Sequence, residues 1–275
     1  NKVVSLDNYS TGKKENEQDG CKYIDVDISD SLRRHKGFGL EQYKLEKPDL
    51  IFHLGALARI QPSLKKPAST ITNNFMGTLN VLDYARENNI PVVYAGSSTF
   101  HHGLWGSPYA WSKHSGEQLC KLYSTIYGLP TAICRFYNVY GEHQLEDGAY
   151  ATVVGIFQKL YREEKPLTVT GDGEQRRDFT HIEDIVDALI RLGWMLESNR
   201  SSKVSGQTFE LGRGKNFSIN ELTEMFGETD VEYIPARDGE YDYTLADSSK
   251  AKELLGWNPT LDISDYISEV IDDKS

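Results

Sequence analysis

Apolar residues in this chain follow two patterns: short continuous runs, and longer stretches in which they recur every third or fourth position. Lys2-Val3-Val4-Ser5-Leu6, ending at Asp7, reads as a buried strand. Leu50-Ile51-Phe52, entered from Pro48-Asp49, is a second, and Pro91-Val92-Val93-Tyr94-Ala95, ending at Gly96 and a row of hydroxyls, is a third. Between them Gly77 to Arg86 carries Leu79, Leu82 and Ala85 or Arg86 at helical spacing. Strands alternating with helical crossovers of this length predict an α/β fold, a doubly wound parallel sheet covered on both faces. Such sheets bind ligands at the carboxyl ends of their strands. Further on, Glu210-Leu211-Gly212 ends a strand and Ile219-Asn220-Glu221-Leu222 begins a helix, and neither needs a functional explanation. Asp178, Asp184 and Asp187 read as helix-start and surface acids.

The third strand leads into the richest chemistry, Ser97-Ser98-Thr99 followed by Tyr109-Ala110-Trp111-Ser112-Lys113. A phenol titrates near pH ~10, so it acts as a base at neutral pH only where a cation stabilises the phenolate. Lys113 supplies that charge if the Ser107-Pro108 step starts a helix at Tyr109, because side chains four apart share a helix face. The competing reading is a common surface pair. Within the hydroxyl row, Ser97 or Thr99 competes with Ser98 for the functional role.

Composition narrows the classes. The 275 residues suffice for one large or two fused domains with a real core, and a net charge of -11 with no basic run disfavours nucleic-acid phosphates as partner. Cys21, Cys120 and Cys134 lack metal-ligand spacing, and their odd number in a chain without a signal peptide predicts reduced thiols and a cytoplasmic setting. No apolar stretch approaches the ~18 residues of a membrane span, so no membrane partner is expected. His101-His102 invites a metal hypothesis but has no Cys or carboxylate at ligand spacing, and no metal is expected. His53 reads as a packed strand-end histidine.

Taken in order, Asp7-Asn8-Tyr9-Ser10-Thr11-Gly12, His53-Leu54-Gly55-Ala56, Asn74-Phe75-Met76-Gly77-Thr78, Ser98, Tyr109 with Lys113, Arg135-Phe136-Tyr137-Asn138-Val139-Tyr140-Gly141, Arg177-Asp178-Phe179, Arg237-Asp238-Gly239-Glu240, Ala246-Asp247 and Leu254-Leu255-Gly256-Trp257 resemble the motifs of the extended short-chain dehydrogenase/reductases, specifically the nucleotide-sugar epimerases and dehydratases of the UDP-glucose 4-epimerase kind. The resemblance runs over nearly the whole chain. It implies a Rossmann-type NAD-binding domain over 1–140 plus 181–212, and a smaller α/β domain for the nucleotide sugar over 141–180 plus 213–275. It also implies a homodimer paired through helices at Thr70–Glu87 and Tyr109–Tyr127.

The same resemblance assigns roles. Asp7, Asn8, Ser10, Thr11 and Gly12 bind the cofactor, Asp7 accepting from its ribose hydroxyls, and a carboxylate at Asp7 favours NAD over NADP because it repels a 2′-phosphate. The plain alternative for Asp7 is a helix amino-terminal cap or an Asx turn before Asn8. Asp27 and Ile28 fall at the adenine contact. Leu54, Gly55, Ala56 and Asn74 line the cofactor, and Ser98, Tyr109 and Lys113 are catalytic. On the substrate side Arg177 and Arg237 hold the diphosphate, Glu240 the ribose of the nucleoside and Asn138 the phosphate or sugar, with a surface ion pair as the plain alternative for Arg237. Thr244, three residues before Asp247, falls where a bulky Tyr excludes a 2-acetamido group.

One part of the family pattern is missing from the sequence: the opening strand and Gly-x-x-Gly-x-x-Gly turn, whose amides hold the cofactor pyrophosphate. The expectation is a fragment of a longer protein, since every other cofactor motif stands intact. The Thr99–Pro108 segment is also shorter than is usual in the family. Dehydratases carry an Asp-Glu pair just after the catalytic hydroxyl. Thr99 and Phe100 stand there instead, which disfavours elimination. Two functions remain at this level, an NAD-dependent nucleotide-sugar 4-epimerase and a non-catalytic sugar-nucleotide-binding remnant.

Overall fold

The structure, a computed structural model, describes residues 1–30, 46–198 and 201–273. Its first strands, β1 (Val3–Asp7) and β2 (Cys21–Asp25), pair in parallel as a two-stranded sheet. β3 (Ile51–His53) leads through the short helices α1 (Ile60–Lys65) and α2 (Pro67–Ile71), then a π-helical turn Thr72–Met76, into α3 (Gly77–Asn88). After β4 (Val92–Ser97) a 3-10 turn, Ser98–His102, precedes the longest helix, α4 (Pro108–Tyr127), and then β5 (Thr131–Phe136) and β6 (Val139–Tyr140). The chain continues through α5 (Val153–Arg162), β7 (Leu167–Thr170), β8 (Arg176–Asp178), β9 (Thr180–His181), α6 (Ile182–Glu197) and α7 (Ser201–Val204). It ends with β10 (Gln207–Leu211), β11 (Asn216–Ser218), α8 (Ile219–Glu224), β12 (Val231–Ile234), α9 (Ser249–Leu255) and α10 (Ile263–Asp272). The larger sheet has the strand order β10-β5-β4-β3, with β3 parallel to β4.

By compactness the chain forms two units, one of residues 1–96, 103–133 and 193–207, the other of 97–102, 134–192 and 208–275. The core of the first gathers Val81, Leu82 and Ala85 of α3, Val92 and Tyr94 of β4, and Cys120 and Tyr123 of α4. β4 is buried at every position, which explains its unbroken apolar run. β1 departs from the expectation of a buried strand. Val3 and Val4 are 54% and 42% exposed, because among the described residues β1 pairs with β2 alone.

The second unit has its own core. Tyr140, Phe157, Val169, Phe179, Leu222, Phe226, Ile263 and Ile267 pack together, drawn from α5, β7, α8, α10 and the β6–β9 region. A capping box at Ser218 and Glu221 starts α8 where the sequence predicts a helix. Two of the three acids read as surface residues are buried. Asp178, in β8, is fully enclosed and accepts the backbone N–H groups of Arg213, Gly214 and Ala246, while Asp184 accepts those of Thr260 and Leu261. Asp187 stays at the surface, paired with Arg191.

Cys21, Cys120 and Cys134 are free thiols. No helix among the described residues is long and apolar enough to cross a membrane.

Candidate active site

In the first unit the site is built on the opening of α4. Ser107 is extended and its hydroxyl accepts from the Ala110 amide at 3.0 Å, with Pro108 at the first helical position, a standard helix start. Tyr109 and Lys113 therefore stand one turn apart on one face, as the spacing predicts. Tyr109 is half-buried, whereas Lys113 is buried. The Lys113 ammonium lies 4.5 Å from the centre of the Tyr94 ring and has no hydrogen-bond acceptor among the described residues. Burial pulls its pKa down to about 8, against the opposing pull of Glu117 and Cys120. A buried cation with three unspent donors is costly unless a ligand supplies acceptors.

Asn74 fixes the loop that faces this helix. It sits in the π-helical turn, a deviation that recurs at functional positions. Its amide nitrogen donates to the Leu57 carbonyl (3.1 Å) and to Ser112 Oγ (2.9 Å), and its oxygen accepts the Leu57 N–H at 2.8 Å. Ser112 in turn donates to the Tyr109 carbonyl. Asn74 thus ties the Leu54-Gly55-Ala56 segment to the turn that carries Tyr109. His53 is packed, as expected: its Nε2 is 2.9 Å from Thr78 Oγ1, and burial, with the Lys113 charge second, lowers its pKa to about 3.

At the end of β1, Asp7 Oδ1 accepts the Tyr9 N–H at 2.8 Å and Asn8 Oδ1 accepts that of Ser10 at 3.0 Å, so Asp7 does shape an Asx turn. Asp7 is exposed, and among the described residues its second oxygen accepts no hydrogen bond. Ser10, Thr11 and Gly12 follow on this turn, and a Cβ on Gly12 would approach Asp7 Oδ2 to 3.4 Å. Asp27 accepts from Asn8 Nδ2 and from the N–H and hydroxyl of Ser29. Burial alone would raise its pKa, yet these bonds outweigh it and hold the carboxyl below its ordinary value. Ile28 fills the space against Gly55 and Gly77, where an added Cβ would meet its Cδ1 at 3.1 Å. A carboxylate acceptor at Asp7, a tight glycine-lined wall and the unmatched Lys113 donors fit the ribose hydroxyls and flat ring of a dinucleotide.

The second unit carries the other candidates. Ser97 Oγ accepts from both the amide and the hydroxyl of Thr99, and both residues are buried. Ser98 is the member of the row left partly exposed. Arg177, Arg237 and Glu240 form one electrostatic group: Arg237 lies 3.9 Å from Glu240, and Arg177, its pKa lowered by burial, feels the charges of Glu240 and Asp242. Next to it His102 stacks on Tyr241, ring centres 3.8 Å apart and 11° from parallel. Burial, then the charges of His101 and Arg177, push the His102 pKa down. Asn138, at a φ of 26°, donates to the Asp178 carbonyl at 3.0 Å and to Thr244 Oγ1 at 3.3 Å. Thr244 is buried, and Tyr243 beside it is exposed. No group of three or more metal-binding side chains occurs among the described residues.

Along the chain His102 stands out only as half of a histidine pair and Glu210 only as a strand end, and nothing marks Tyr241. The His102–Tyr241 stack joins residues far apart in the chain, and no local pattern signals it.

Over residues 1–212 the chain matches the profile of the NAD dependent epimerase/dehydratase family. It is 31% identical over 290 aligned positions to the putative UDP-glucose 4-epimerase of Methanocaldococcus jannaschii, covering 98% of this chain and 89% of that protein. Among solved structures it is similar to the UDP-N-acetylglucosamine 4-epimerase of Methanobrevibacter ruminantium in complex with UDP-N-acetylmuramic acid (29% identical, TM-score 0.83, 99% of this chain and 90% of that one). It is likewise similar to the UDP-glucuronic acid 4-epimerase of Bacillus cereus in complex with UDP-glucuronic acid and NAD (27% identical, TM-score 0.81, with the same coverage of 99% and 90%).

Proposed function

This chain belongs to the NAD dependent epimerase/dehydratase family, and on that premise we propose that it is a nucleotide-sugar 4-epimerase acting on a UDP-hexose or UDP-N-acetylhexosamine. The observation that carries the reading is the buried Lys113 ammonium, one helical turn from Tyr109 and without an acceptor among the described residues.

NAD, when bound, would supply the hydride acceptor and donor for the sugar C4. Asp7, the Gly55 wall and Lys113 hold it. Lys113 donates to a ribose hydroxyl and its charge favours the Tyr109 phenolate, which takes the proton of the C4 hydroxyl. The Ser98 hydroxyl is assigned to substrate binding. With the cofactor bound, the same Tyr109 hydroxyl would return the proton to the C4 oxygen of the epimerised sugar. Arg177 and Arg237 hold the diphosphate through charge-assisted bonds, Glu240 takes the nucleoside ribose, and Asn138 contacts the phosphate or sugar.

Elimination of water is disfavoured on this reading because neither residue after Ser98 offers an acid or base. Thr99 is bound to Ser97, and Phe100 lies beneath the Arg135 guanidinium. The enzyme works as a homodimer in the cytoplasm, a reducing compartment that suits its free thiols.

The test is incubation of the NAD-loaded protein with UDP-glucose and with UDP-N-acetylglucosamine, followed by proton NMR. Appearance of the C4 epimers is expected, and a 4-keto-6-deoxy product would overturn the assignment in favour of a dehydratase.

A further inference from the structure

Glu210, in β10, gathers donors from three other parts of the second unit. Its Oε1 lies 2.5 Å from His101 Nε2 and 3.5 Å from the Arg135 guanidinium. Its Oε2 accepts the Tyr137 hydroxyl at 2.7 Å and the Asp247 N–H at 2.9 Å. Arg135 also covers Phe100, with its Cζ 3.3 Å from the ring centre, and Phe100 meets His101 edge-on. Phe100 and His101 belong to the five-residue turn Ser98–His102, which opens with the partly exposed Ser98. Its i→i+3 hydrogen bonds are few and of poorer geometry than those of an α-helix. Contacts to its side chains therefore add to what sets its orientation.

We propose that Glu210 and His101 are positioning residues for Ser98: the carboxylate, fixed by Tyr137 and Asp247, holds the imidazole, and through it the turn that presents the serine hydroxyl to the substrate. The inference rests on the reading of Ser98 as the substrate-binding hydroxyl. Burial alone would raise the Glu210 pKa, but the bonds from Asp247, Tyr137 and His101 outweigh it and keep the carboxyl ionised below its ordinary range, as a clamp requires. A hydroxyl displaced by a fraction of an ångström still allows substrate to bind but aligns it less well for proton transfer, so the effect falls on kcat rather than on affinity.

The experiment uses the NAD-loaded protein and four variants, His101→Ala, His101→Gln, Ser98→Ala and the double variant Ser98→Ala with His101→Ala. His101→Ala is expected to lower kcat about tenfold with nucleotide-sugar affinity by calorimetry changed less than about twofold. His101→Gln, which keeps a donor for Glu210, restores most of the loss. In the Ser98→Ala background, His101→Ala has no further effect. Wild-type kcat for His101→Ala, or the same loss with and without Ser98, would overturn the clamp while leaving Ser98 in place. Wild-type kcat for Ser98→Ala would overturn the reading of Ser98, and the clamp with it.

Discussion

Thr244 and Asn138 are joined by a 3.3 Å hydrogen bond from the amide nitrogen to the threonine hydroxyl, and the same hydroxyl accepts the Asp178 N–H at 3.2 Å. Threonine is polar enough to hold Asn138 in place, and it is much smaller than the tyrosine that would exclude a 2-acetamido group on the proposed reading. We expect the enzyme to turn over UDP-N-acetylglucosamine as well as UDP-glucose, and Thr244→Tyr to cut the efficiency ratio for the acetylated sugar about tenfold or more. Thr244→Val separates size from bonding: it should lower stability by about 1–2 kcal/mol in urea unfolding while leaving the ratio near its original value. An unchanged ratio in Thr244→Tyr would remove Thr244 from selectivity.

Tyr109→Phe removes the hydroxyl proposed as the proton acceptor and keeps the ring. Turnover should fall by at least ~3 kcal/mol of transition-state stabilisation, with nucleotide-sugar binding nearly unchanged. Parallel measurement of kcat and of affinity decides it, and wild-type turnover in the variant would refute the assignment.

Lys113 sets up an opposition between stability and function. Its pKa of about 8 lies below the ordinary 10.5, so between those values the unfolded chain holds the extra proton and stability rises with pH, while the cost is fully present below pH 8. Lys113→Met should therefore stabilise the ligand-free protein at pH 7 by something on the order of 1–3 kcal/mol while abolishing turnover. Its advantage should shrink toward pH 10. Thermal unfolding of both proteins across this range provides the check, and a destabilised variant at pH 7 would contradict the account.

The outer face of α4 exposes Leu122, Ile126 and Tyr127, at 49%, 63% and 54%. An isologous dimer through this helix would cover them. Sedimentation should give a dimer at micromolar concentration and a monomer for the double variant Leu122→Glu with Ile126→Glu. A monomeric wild type would count against the pairing.

Much of this protein is legible along the chain because the signals are local. The apolar runs at Ile51-Phe52 and Val92–Ala95 mark strands, Ser107-Pro108 marks the start of α4, and four-residue spacing brings Tyr109 and Lys113 to one face. The ordered motifs fix the family and the cofactor class. The tertiary structure decides what those side chains have for partners. Asp178 looks like one more acid in a charged stretch, yet its carboxylate takes backbone N–H groups 35, 36 and 68 residues away and so is buried rather than exposed. Glu210 reads as an ordinary strand end until His101, 109 residues distant, is seen on its oxygen. Lys113 reads as a cation from its residue type alone; that it is buried, with no acceptor among the described residues, depends on the helices and strands packed around it. Periodicity and capping depend on residues within a turn or two of each other, whereas burial and the pairing of charges depend on segments the fold brings together, so the sequence determined the elements and the chemical groups and the tertiary structure determined which of those groups are free to act.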